Sequence, residues 1–106
     1  MNRKEIYDLI EAERARQDAK WGEQNIPLIR DEEMWRFYYL DCAEGMKNKC
    51  ARNFAAGTNT WDFILREEVY EALSETDEDK VEEELVQVAA VAVAMIECMR
   101  RKKRCA

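Results

Sequence analysis

One proline, Pro27, and three glycines are all that interrupt a chain of 106 residues. Glycine and proline end regular structure, so a sequence this poor in them folds into long, unbroken elements. Apolar residues recur at three- and four-residue steps, and no stretch alternates as a strand does. The sequence therefore predicts an all-α fold of four helices, with residues 1–106 a single domain. The first helix is expected over 2–20, where Ile6, Leu9 and Ile10 open a buried stripe that Glu13, Gln17 and Lys20 continue in polar form. After the break at Gly22, residues 21–30 make a long connection around Pro27, a place where binding residues concentrate. Asp31 is the expected cap of the second helix, whose bulky face reads Trp35, Tyr38, Tyr39, Cys42, Met46, Cys50 and Phe54. Gly57-Thr58-Asn59 ends that helix, and Thr60 is the expected N-cap of the third. The short polar run from Ser74 to Asp79 makes helices three and four an antiparallel pair.

The fourth helix is expected over 78–103, with residues 100–106 a basic tail that frays at its tip. From Leu85 to Ile96 its residues are apolar on all sides except at Gln87. A helix that is hydrophobic all round must be covered all round. Four helices offer too little cover, so the expectation is a bundle formed by a homodimer or homotetramer. The same run is too short for a bilayer, which takes about 20 apolar residues. Met1-Asn2-Arg3-Lys4-Glu5 has no apolar core of a signal peptide, and no membrane association is expected. A net charge of −6 argues against a general binder of nucleic acid. Cys42, Cys50, Cys98 and Cys105 form no C-x-x-C pair and have no histidine beside them. They read as helix-core thiols of a reducing, cytoplasmic compartment rather than as zinc ligands or disulfides.

The chemistry concentrates in Glu67-Glu68-Val69-Tyr70-Glu71 and in Glu83-Glu84-Leu85-Val86-Gln87. On a helix, Glu67, Glu68 and Glu71 form a triangle, and Glu83, Glu84 and Gln87 repeat its spacing. Glu68 has apolar neighbours one and two turns away: Trp61, Ile64, Leu65 and Ala72. It therefore lies inside the stripe that faces the core, where a carboxylate must be paired, protonated or bound to a cation. The chain contains no histidine. Oxygen-only ligands point to Mg2+, or Mn2+, with phosphate oxygens and waters completing the shell. The opposing expectation is an acidic corner between helices, neutralised by lysines and arginines.

The pattern Glu67-Glu68-Val69-Tyr70-Glu71, twelve intervening residues, then Glu84-Leu85-Val86-Gln87 resembles the metal motif of the MazG-like all-α nucleoside triphosphate pyrophosphohydrolases. The leader from Glu13 to Asn25, which includes Lys20-Trp21-Gly22-Glu23-Gln24, is similar to that of MazG-like proteins of phages and bacteria. The resemblance implies hydrolysis of a nucleoside triphosphate to the monophosphate and pyrophosphate. It implies metal ligands at Glu68, Glu71, Glu84 and Gln87, and a water nucleophile with Glu67 or Glu71 as base. Gln87 departs from the family's acidic residue: its amide oxygen can still coordinate, or it can serve as a buried amide between helices. Lys20 is the first candidate for a phosphate contact, ahead of Arg14, Arg16 and Arg52. Trp21 can stack on a base whose edge Gln24 and Asn25 read, or it can simply pack. The alternative function is a helical nucleotide- or partner-binding protein that kept the fold and lost the chemistry at Gln87.

Overall fold

In the computed structural model, which describes residues 2–30 and 32–105 with side chains as far as Lys103, the only regular elements are four helices. They are α1 (Arg3–Trp21), α2 (Glu33–Ala56), α3 (Trp61–Ser74) and α4 (Glu78–Cys105). Their ends follow from local chemistry. The Asn2 side chain accepts the Glu5 N–H at 3.1 Å and so starts α1. Gly22, at φ 67°, stops it and donates its N–H to the Asp18 carbonyl at 2.8 Å. Gly57 closes α2 in the left-handed conformation, with the Thr58 N–H returning to the Asn53 carbonyl at 2.9 Å.

Of the two other expected caps, one falls where it was expected and one is not described. Asp31 lies outside the described residues; Glu32 holds the cap position of α2 and makes no side-chain cap bond. Thr60 is the N-cap residue of α3, yet its hydroxyl bonds to the Asp62 carboxylate instead of accepting a backbone N–H. The connection from α3 to α4 is shorter than expected, only residues 75–77. The Glu75 carboxylate accepts the N–H groups of Thr76 and Asp77 at 3.0 and 3.1 Å. Asp77 then caps α4, its side chain accepting the Asp79 N–H at 3.1 Å.

The chain divides into two compact units, Met1–Leu28 with Val93–Ala106, and Ile29–Ala92. In the first unit Ile6 is 1% exposed, and Arg3 pairs with Glu97 at 3.2 Å. Leu9 and Ile10 remain largely open, while Glu13 and Gln17 are half-buried, so the stripe of α1 is covered around Ile6 but not along its length.

In the second unit α2 packs on α3, and α3 meets α4. The inward face of α2 is Ala43, Met46 and Cys50, met from α3 by the buried Ala72. Of the stripe read from the sequence, Met46 and Cys50 are buried and Trp35, Tyr39 and Cys42 half-buried, but Tyr38 and Phe54 are more than half exposed. The reason is that small residues mark where helix backbones approach most closely, and large aromatics sit at the flank. There Trp35, Tyr38 and Tyr39 make mutual edge and tilted contacts with centroids 5.6–6.1 Å apart, and Arg30 lies over Trp35. On α4, Val81 is buried, whereas Leu85 and Val86 are 45% and 63% exposed. Among the described residues no helix is long and apolar enough to cross a membrane.

Truncating Met46 leaves a void at the centre of the second unit. Met46→Ala is expected to lower the unfolding free energy by about 2–4 kcal/mol, read as a fall in urea midpoint at unchanged slope.

Candidate metal centre

On α3, Glu68 and Glu71 are one turn apart on the side that carries the buried Ala72 and the half-buried Trp61, Ile64 and Leu65. Glu84 comes from α4, about two turns beyond the Asp77 cap. The short connection brings it back to α3, so that one carboxylate oxygen from each of Glu68, Glu71 and Glu84 lies within 4.8 Å of the others. One oxygen of Glu68 and one of Glu84 are shut off from solvent and have no hydrogen-bond partner. Among the described residues no lysine or arginine comes within ion-pair distance of the three.

The electrostatics follow from that crowding. Burial first, then the charges of Glu68, Glu67 and Glu84, push the Glu71 carboxyl up to about 7, with Lys47 pulling the other way. Glu68 is raised as well, by burial, then by Glu84 and Glu67. Below neutral pH the group therefore holds protons that ordinary carboxyls have lost. A divalent cation does the same work better, because it neutralises several carboxylates at once. The donor set, all carboxylate, suits a hard cation.

Beside the group lies a hollow of about 200 Å³ between α2, α3 and α4. Leu40, Ala43, Glu44 and Lys47 line it from α2, with Glu71, Ser74, Glu75 and Glu84 opposite. Nothing in the sequence singled out Glu44 and Lys47 for this place. They flank the Ala43–Met46–Cys50 face, a signal that depends on knowing which way α2 is turned.

The other candidate residues are distributed as follows. Glu67 is half-buried and turned to α2, where it is in contact with Cys50. That thiol is pushed up to about 11 by burial, then by Glu67, with Asn59 acting in the opposite sense. Glu83 and Gln87 are exposed, so of the second triangle only Glu84 joins the first. The expectation of two facing triangles is corrected to a trio: at i−1 and i+3 from Glu84, both neighbours flank the face that meets α3. Lys20, Trp21, Gln24 and Asn25 belong to the first unit and are exposed. The Lys20 ammonium lies 4.9 Å from the Trp21 ring centroid, and Asn25 donates to the Glu23 carboxylate at 3.2 Å. Arg14 pairs with Asp18 at 2.9 Å, and Arg16 pairs with Glu13.

No protein family, curated protein or solved structure matches this chain. The site has to speak through its own geometry.

A raised carboxyl holds its proton more tightly in the folded state than in the unfolded one, so ionisation favours unfolding. The effect is absent below the ordinary value of 4.5 and complete above the folded value of about 7. In metal-free buffer, stability is expected to fall as pH rises through that window. Glu71→Gln flattens the fall, and added Mg2+ reverses it at pH 7.5, both measured by denaturant titration.

Proposed function

We propose that this chain is a Mg2+-dependent nucleotide pyrophosphohydrolase, cleaving a (d)NTP with water to the (d)NMP and pyrophosphate. One observation carries the reading: desolvated, unpartnered carboxylate oxygens from two helices converge with a third carboxylate. An acidic corner neutralised by basic side chains would instead show an ion pair at those oxygens. The likeness of Glu67–Glu71 and Glu84 to the MazG-like motif supports the same reading.

Glu68, Glu71 and Glu84 would hold the cation, which would supply positive charge to offset the charge of the phosphates under attack. Three carboxylates leave coordination room for phosphate oxygens and water, as magnesium sites in phosphate chemistry do. Glu71 is committed to the cation once ionised. Glu67, adjacent to the trio but outside it, is the group left to take the proton of the attacking water. The proposal also includes the finer architecture: an antiparallel α3–α4 pair and a homodimer or homotetramer whose second copy covers Leu85 and Val86, working in the cytoplasm.

With Mg2+, pyrophosphate release is expected from at least one member of a (d)NTP panel. Glu68→Ala should reduce both turnover and Mg2+ affinity by about a hundredfold or more. Absence of turnover on every nucleotide, with Glu68→Ala binding metal like the wild type, refutes the proposal.

The exposed, neutral Gln87 favours one competing reading, a nucleotide-binding protein with a decayed site. Gln87→Asp separates the two. A gain of about tenfold or more in turnover marks a decayed centre, and a loss marks a glutamine in use.

A further inference from the structure

We infer that Lys47 grips the polyphosphate of the substrate in the hollow between α2, α3 and α4, an inference that rests on the metal-dependent reading above. The hollow is about 200 Å³ in volume and is lined by the acids Glu44, Glu71, Glu75 and Glu84. That volume is below the roughly 300–1,000 Å³ of sites that enclose a whole drug-sized ligand. It takes phosphate groups next to the cation and leaves the nucleoside outside.

Among the residues lining the hollow, Lys47 is the sole cation, and it is not used up. Among the described residues its ammonium makes no ion pair with any of the four carboxylates around it. It is nonetheless close enough to Glu71 for its charge to be felt there. Two other polar groups of the lining, one of them its other side-chain donor, are engaged elsewhere. The Ser74 hydroxyl donates to the Glu71 carbonyl at 3.1 Å, and Glu75 accepts two backbone N–H groups of its own loop. Lys47 is therefore the lining side chain free to donate to a phosphate oxygen. A flexible ammonium acts there as a mobile point charge. A triphosphate entering a wall of carboxylates needs such a charge beside the metal, since the acids otherwise repel it.

A lysine that merely neutralised the acids would behave differently, and the two roles have opposite signatures. The test is calorimetric titration of inorganic pyrophosphate into the full chain saturated with Mg2+, for wild type, Lys47→Met, Lys47→Gln and Lys47→Arg. Lys47 is exposed, so its removal is expected to leave the fold intact, checked by matching thermal melts. For the inference to hold, Lys47→Met and Lys47→Gln weaken pyrophosphate binding tenfold or more. Mg2+ affinity then stays the same or rises, and Lys47→Arg retains most of the pyrophosphate affinity. Unchanged pyrophosphate binding in both neutral variants, with Mg2+ still bound, overturns the role of Lys47 alone. Failure of the wild type to bind Mg2+ overturns the metal reading and this inference with it.

Discussion

Carboxylate oxygens withdrawn from water without a partner are the constraint on which the second unit turns. Each such group costs about 1–3 kcal/mol or more in desolvation, and here Glu68 and Glu84 bear that cost side by side. The two groups come from different helices, α3 and α4, so the contact between those helices forms against this repulsion. On the proposed reading, such an arrangement is preorganised for a cation, whose binding would relieve the repulsion.

The same logic separates Glu67 from its neighbours. One residue along the helix from Glu68, it is rotated towards α2 and Cys50, so a single turn of α3 carries two carboxylates of the trio and one beside them. Adjacent residues of a helix differ by about 100° in direction, so Glu67 and Glu68 diverge to either side of Glu71, which lies one turn from both.

Much of this was legible in the sequence, for identifiable reasons. Gly22 and Gly57 ended helices where a positive φ was needed, and Asn2 capped where its side chain could reach. Glu68 was recognisable because Trp61, Ile64, Leu65 and Ala72 surround it at helical spacing, a property of α3 alone. What escaped the sequence depended on the rotation of one helix against another. On α2, Met46 and Cys50 lie inward as read, but the buried face also takes in Ala43 and leaves Tyr38 and Phe54 outside, a rotation that brings Glu44 and Lys47 to the hollow. Gln87 has the same spacing from Glu84 as Glu71 from Glu68, but it falls on the open side of α4. Spacing within a helix told which residues share a face; it did not tell which face meets a neighbour.

The connection of residues 75–77 has a bearing on how this protein can change over generations. Glu75 and Asp77 tie its backbone at both ends, leaving no slack between α3 and α4. A single inserted residue there would swing α4 by about 100° and carry Glu84 away from its companions. Insertions around Pro27 touch no such coupling. Natural length variation should therefore accumulate in the one hinge and be purged from the other, a pattern that lineage comparisons would display as an indel desert.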